Sequence, residues 1–230
     1  MISPAPQNQP DPSSAPQAGE PVRVQAGAVV LDGRLSVPEN ARGIVILSRG
    51  SENSLENPLD AALAGALNEA GCATLLLNPL TDENAELDRE TGFFRENANL
   101  LGQRLLGAMN WLREYRASSN FSIGLLGFGV GAAAALFAAA SRPDLATAVV
   151  SAGGRYDLAE EWLPEVHAPL LALGGEQDDV STQTALNGVA GGSHLEHVAG
   201  LETLSPDNEA FKQVAQLAGD WFGRYLRPIR

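Results

Sequence analysis

Cysteine is almost absent from this 230-residue chain, which contains only Cys72. A single cysteine excludes an internal disulfide framework and a cysteine-based zinc cluster. Basic residues are also few, 15 against 28 acidic ones, so the formal net charge is −13. Nucleic acids and anionic lipid both need a basic surface on the protein, and this acidic chain is therefore predicted to bind neither.

Long apolar runs and histidines are scarce as well. No apolar run approaches the roughly 20 residues of a membrane-spanning helix, and the amino terminus lacks the basic and apolar regions of a secretory signal. We therefore expect a cytoplasmic protein. The three histidines do not cluster with carboxylates at ligand spacing, so neither a metal nor another cofactor is predicted. Hydrophobic residues make up 44% of the chain, which is enough for a folded core.

The chain divides into a polar tail and one α/β domain. Residues 1–20 are rich in proline, glutamine and serine and are predicted to be a disordered tail. Residues 21–230 alternate short apolar strands with amphipathic helices, which predicts a single domain with a mostly parallel sheet covered on both faces. The predicted strands cover 22–26, 28–37, 43–48, 72–78, 122–128, 146–153, 168–175 and 193–198. In such sheets the functional sites lie at the carboxyl ends of the strands.

Two segments resemble the dienelactone-hydrolase-like α/β hydrolases. ARGIVILSRGSENSLENP (41–58) is similar to their oxyanion-loop region, and IGLLGFGVGAAAAL (123–136) takes the place of their nucleophile elbow, strand–G-x-S-x-G–helix. The resemblance implies an α/β-hydrolase fold without a large lid domain. It also implies a serine-type ester or lactone hydrolase, in which a serine attacks an acyl carbon while a histidine and a carboxylate assist.

The positions that match the family's catalytic triad are substituted. The nucleophile position is Gly129, which has no side chain. The family's histidine lies in a segment like P-G-A-T-H-L, and the matching residue here is Thr203, whose hydroxyl is not a base near neutral pH. The acid position matches Asp178, with Asp179 as the second choice. The resemblance therefore indicates a triad of which only the carboxylate remains.

The three histidines offer no replacement base. His167 precedes a strand, at the edge opposite the site, and His194 begins the last strand at the same wrong edge. His197 is predicted inside that strand, against a packed layer. A general base must reach the proton that it removes, so none of the three is assigned this role.

The resemblance also places four residues around the former active site: Arg49, Ser51, Glu52 and Val130. Glu52 stands where a glycine is usual, and a carboxylate there would repel a developing oxyanion. We therefore predict a pseudoenzyme that binds a small molecule or a protein partner through this cleft. The sequence does not indicate an oligomeric state.

Two alternatives stay open at this point. The first is a residual ester or lactone hydrolase that uses an unusual group, such as Ser51 or Ser151, although both are interpreted as turn residues. The second is a dinucleotide-binding protein, because residues 127–132 fit G-x-G-x-x-A between a strand and a helix. That motif also requires an acid at the end of the next strand, where the sequence reads VSAG (150–153).

Overall fold

The computed structural model describes residues 19–50, 54–176 and 180–229, with the side chains of 180 and 181 left out. The strands are β1 (Glu20–Ala26), β2 (Val29–Ser36), β3 (Gly43–Arg49), β4 (Ala73–Leu77), β5 (Ser122–Phe128), β6 (Ala146–Ala152), β7 (Leu170–Gly174) and β8 (Ser193–His197). The helices are α1 (Pro58–Glu69), α2 (Asp82–Thr91), α3 (Ala98–Glu114), α4 (Val130–Ser141), α5 (Val180–Leu186) and α6 (Glu209–Tyr225).

The eight strands form one sheet in the order β1-β2-β4-β3-β5-β6-β7-β8. β1 pairs antiparallel with β2, and β2 with β4, while every other neighbouring pair is parallel. The predicted mostly parallel sheet is therefore confirmed, and so is the early hairpin. β8 lies at the edge of the sheet, in agreement with its mixed burial.

The core is divided by the sheet into two apolar layers. On one face α3 and α4 cover the sheet, with Leu105, Met109 and all but one of the alanines of α4 fully buried. On the other face α1 and α6 pack together, with Leu67 and Phe222 fully buried. This two-sided burial explains why the central strands read as continuous apolar runs rather than as alternating ones. None of the helices in the described ranges is both long and apolar enough to cross a bilayer.

The beginning of α1 follows its sequence signals. The Asn57 side chain accepts a hydrogen bond from the N–H of Leu59 at 2.9 Å, and Pro58 stands at the first helical position. The backbone after α1 turns at Gly71, which has φ +81°. These contacts confirm the predicted N-cap and the predicted end of this helix.

Three features differ from the sequence-based expectations. Glu20 already pairs with Leu35 in β1, so the domain begins one residue earlier than predicted, and the rest of the predicted tail lies outside the described residues. The structure also contains α2 and α5, which were not predicted as separate helices. Among the residues of α2 only Asp88 is buried, so this helix lacks the apolar stripe by which a sequence reveals a helix.

Candidate functional site

A sharp turn joins β5 to α4 at the carboxyl edge of the sheet. Gly129 sits in this turn with φ +53° and ψ −120°, a conformation that L side chains rarely adopt. Its N–H donates to the carbonyl of Ala152 at 3.2 Å, which ties the turn to the end of β6. The backbone at the predicted nucleophile position therefore has the sharp strand-to-helix geometry of an elbow, which glycine adopts without strain, and no side chain projects from it.

The two glycines that flank this turn are required by close packing. A Cβ atom at Gly127 would lie 2.5 Å from the Cα of Ala132 and would overlap the carbonyl oxygen of Gly131. A Cβ atom at Gly131 would lie 2.5 Å from the carbonyl oxygen of Ser48 in β3. At Gly129, by contrast, a Cβ atom would meet nothing within 4 Å. The elbow thus has space for a nucleophile but carries none.

A cavity of about 370 Å³ opens beside the elbow. It lies where β5, β6 and β7 end, the position expected for a site in a parallel sheet. Most of its lining is apolar or bare backbone: Phe128, Gly129, Ala152, Gly153, Gly154, Gly175, Leu201 and Glu202. Glu202 is the one ionisable residue in this lining.

The fold places the Glu202 carboxylate against the end of β7. Glu202 lies in a short 3-10 turn (Leu201–Thr203) that follows Gly200, which has φ +79°. Glu202 is exposed, and its Oε1 atom accepts a hydrogen bond from the N–H of Glu176 at 3.1 Å. A Cβ atom at Gly175 would overlap that oxygen and lie 2.7 Å from Cδ of Glu202, so a larger residue at 175 would displace the carboxylate.

Arg49, predicted to line the cleft, is held beside it instead. Its Nε atom lies 2.5 Å from Oδ1 of Asp60, which is 1% exposed and belongs to α1. The guanidinium lies 4.3 Å from the centre of the Phe128 ring, and Phe128 itself lines the cavity. Because Asp60 neutralises it, Arg49 supports the cavity wall without giving the cavity a net positive charge. Val130 also lies outside the lining and packs on the core under α3 and α4.

The remaining predicted site residues have different outcomes. Ser51, Glu52 and Asp178 lie outside the described residues. Thr203 is exposed, and its hydroxyl donates to the carbonyl of Gly200 at 3.2 Å. The described lining of the cavity includes its neighbour Glu202 rather than Thr203 itself.

The histidines are all exposed. His167 precedes β7, as predicted, and His194 lies within β8, where its Nε2 atom is 2.8 Å from Oε1 of Glu196. The prediction for His197 was wrong, because it is the last residue of β8 and its side chain is exposed rather than packed. None of them belongs to the described lining of the cavity. Across the described ranges, His, Cys, Asp and Glu side chains form no group of three or more that would hold a metal ion.

Two other candidate nucleophiles are buried. Ser151 lies inside β6 and is 0% exposed, so its interpretation as a turn residue was wrong. Its hydroxyl accepts a hydrogen bond from the Tyr156 hydroxyl at 2.9 Å. Cys72 is 2% exposed, and burial raises the pKa of its thiol, an effect that Arg42 partly offsets. Neither group is accessible enough to serve as an activated nucleophile.

A second cavity of about 960 Å³ adjoins the first at Gly154, which lines both. Arg155 and Asp157 stand at its edge as an ion pair, with Nη2 of Arg155 2.7 Å from Oδ2 of Asp157. The hydrogen bonds from Arg155 hold the pKa of Asp157 below its ordinary value. The two cavities are therefore neighbours at the end of β6.

The comparisons with known proteins agree with this geometry. The family model of the dienelactone hydrolase family matches residues 80–198. The crystal structure of dienelactone hydrolase from Anabaena variabilis is 38% identical, with a TM-score of 0.84 over 91% of this chain and 98% of that one. This chain belongs to the dienelactone hydrolase family. The expected α/β-hydrolase fold is thereby confirmed.

Two further matches are a structure that shares only the fold and a relative that is similar in sequence. Est1E from Butyrivibrio proteoclasticus shares the fold at 13% identity, with a TM-score of 0.69 over 89% of this chain and 98% of that one. A Mycobacterium tuberculosis protein with a provisional name as a phosphoribosyl transferase is 39% identical over 214 residues. That match covers 92% of this chain but 47% of the relative, so the family member described here spans about half the length of the curated relatives it matches.

The glycines of the predicted elbow are readable in the sequence, whereas the position of Glu202 in the cavity lining is not. Glu202 gave no signal of its own, because a lone acid in a loop is usually a solvated turn residue. A usable signal for this part of the cavity was the glycine that follows each of two strands: Gly153 and Gly154 after β6, and Gly175 after β7. Glycine at the end of a parallel strand often permits close approach by another chain segment or a ligand.

Proposed function

We propose that this member of the dienelactone hydrolase family is a pseudoenzyme, which binds a ligand or a partner protein at the former active site. The observation that carries the proposal is the state of Gly129: the elbow backbone is retained while the nucleophile is missing. A serine hydrolase forms its acyl-enzyme through that side chain, and glycine has no atom with which to form it.

The surroundings of the elbow support the same conclusion. A carboxylate, Glu202, lines the cavity next to the position that matches the family's histidine, and it accepts a hydrogen bond from the N–H of Glu176. A negative charge at that place opposes the oxyanion of an acyl-transfer reaction. The alternative hydrolase has no support from Ser151, whose hydroxyl is buried and bonded to Tyr156.

The dinucleotide alternative lacks its ribose-binding acid in the described part of the chain. β6 ends at Ala152 and is followed by two glycines, while the next acid along the chain, Asp157, is paired with Arg155. A small molecule in the elbow cavity or a protein at its rim is therefore the favoured partner. We place the protein in the cytoplasm, which cell fractionation tests directly.

The test is a search for serine-type chemistry. We expect the full chain to hydrolyse p-nitrophenyl acetate and a simple dienelactone no faster than the heat-denatured protein, and to resist labelling by a fluorophosphonate. The matched control is the Gly129→Ser variant, which tests whether the fluorophosphonate reaches a serine at the elbow. A Cβ atom at this position meets nothing within 4 Å. Stoichiometric fluorophosphonate labelling of a serine in the unaltered protein would overturn the proposal.

A further inference from the structure

The elbow cavity has an unusual chemical composition. Of its eight described lining residues, four are glycines, three are apolar, and the eighth is Glu202. Within this described lining, a ligand meets hydrocarbon, bare backbone and one carboxylate. Polar groups placed singly in an apolar pocket determine which ligand is recognised, and here that group is an anion.

The carboxylate of Glu202 is positioned by the backbone rather than by another charge. Oε1 accepts the N–H of Glu176, and the missing side chain of Gly175 makes the space for it. Within the described residues, Oε2 accepts no hydrogen bond and Glu202 forms no ion pair. The exposed carboxylate therefore has one backbone partner and, within the described ranges, no counter-charge, which a ligand can supply.

The other charges near the cavity do not cancel its preference for a cationic group. Arg49, which stacks on the far side of Phe128, is already paired with Asp60. The formal net charge of −13 attracts cations to the whole surface. One feature acts in the opposite direction, since the amino terminus of α4 begins at Val130 and favours an anion.

We propose that the elbow cavity binds a small ligand with a positively charged amino group, for which Glu202 supplies the counter-charge. This inference rests on the proposed function, in which the cavity holds a ligand and does not turn it over. It goes beyond that function by naming the chemical class of the ligand. The amino group lies at the Glu202 carboxylate, and the apolar part of the ligand lies over Gly129 and against Phe128.

The experiment compares three probes of nearly equal size and different charge: benzylammonium, benzyl alcohol and benzoate. Each is titrated into the full ¹⁵N-labelled chain at about 0.02 M and about 0.15 M salt, with amide shifts as the readout. We expect benzylammonium to bind about fivefold or more tightly than benzyl alcohol at low salt, with the shifts centred on Gly175, Glu176 and Gly129. Higher salt should narrow that difference, and benzoate should bind most weakly.

Two matched variants remove one negative charge each. Glu202→Gln keeps an oxygen for the N–H of Glu176, and we expect it to bind benzylammonium and benzyl alcohol equally. Glu176→Gln changes a side chain outside the cavity lining but keeps the N–H that Glu202 uses, so the preference for benzylammonium should persist. Equal loss in both variants would show a general surface-charge effect and would overturn the inference.

The other outcomes are also decisive. Benzoate binding as tightly as benzylammonium would show that the α4 terminus dominates, and no binding of any probe would show that the cavity takes no such ligand. Either result overturns this inference while the proposed function stands. Ester turnover or serine labelling in the unaltered protein, in contrast, overturns the proposed function whatever the probes show.

Discussion

Restoring the missing hydroxyl by Gly129→Ser should destabilise the protein. The residue has φ +53° and ψ −120°, and a non-glycine residue in such a region costs about 1–3 kcal/mol. Replacing glycine also reduces the entropy of the unfolded chain, which offsets up to about 1 kcal/mol. No steric cost is added, because a Cβ atom at this position meets nothing within 4 Å. The expected net loss in the free energy of unfolding lies between about 0 and 3 kcal/mol, with its centre near about 1.5 kcal/mol.

The control is a second glycine with equal space and ordinary backbone geometry. Gly65 lies within α1, where a Cβ atom also meets nothing within 4 Å and φ is not positive. Serine is a better helix former than glycine by about 0.5 kcal/mol, so Gly65→Ser should stabilise the protein slightly. The two variants add the same side chain in open space, and they differ in the backbone conformation that must accept it.

A third variant separates strain from overpacking. Gly131→Ala places a Cβ atom 2.5 Å from the carbonyl oxygen of Ser48, so α4 must move away from β3 at a cost of about 1–3 kcal/mol or more. Urea unfolding of all three variants gives the midpoints and slopes from which these free energies are compared. A midpoint for Gly129→Ser at or above that of Gly65→Ser would refute the reasoning, since the turn could not then have the elbow conformation.

Three further outcomes are expected. Asp88→Ala should lower the free energy of unfolding in urea by about 3 kcal/mol, because the buried Asp88 carboxylate accepts from two backbone N–H groups and a guanidinium. The control, Asp157→Ala, breaks an exposed ion pair and should lower it by about 1 kcal/mol or less. Cys72 should react with a thiol reagent at pH 8 only in urea, because burial shields the thiol and raises its pKa; rapid reaction in the native protein would contradict this. The double variant Gly129→Ser, Glu202→His should hydrolyse p-nitrophenyl acetate weakly, whereas neither single variant should, because the imidazole would enter the cavity beside the new hydroxyl. Equal rates in all three variants would contradict this position of the imidazole.

Much of the fold could be predicted from the sequence because its signals are local. The continuous apolar runs at 43–48 and 122–128 predict buried parallel strands, and both are confirmed as β3 and β5. Asn57 and Pro58 predict the start of α1, since a cap needs only a side chain and the N–H two residues later. The glycines at 127, 129 and 131 likewise predict the elbow, because a tight turn restricts the residues at the turn itself.

Helix α2 has local signals in its caps, Thr81 and Gly92, but the buried contact that anchors it follows no periodic pattern. Its sequence has no apolar stripe, and the described structure buries only Asp88 from it. That carboxylate accepts the N–H groups of Phe94 and Arg95 at 2.7 Å and 3.0 Å, which ties the end of the helix to the segment before α3. A periodicity argument looks for buried apolar residues, so it does not detect a helix that is held by one buried charge.

The candidate site also has features that the sequence alone determines and features that only the tertiary structure determines. The absence of a side chain at position 129 is a property of the sequence, because glycine has no hydroxyl in any fold. The chemistry of the cavity is a property of the tertiary structure, because Glu202 and Glu176 are 26 residues apart and meet only when the 3-10 turn after β8 packs on the end of β7. The small size of Gly175 leaves room for the carboxylate at the end of β7, and this contact sets the charge of the described cavity lining.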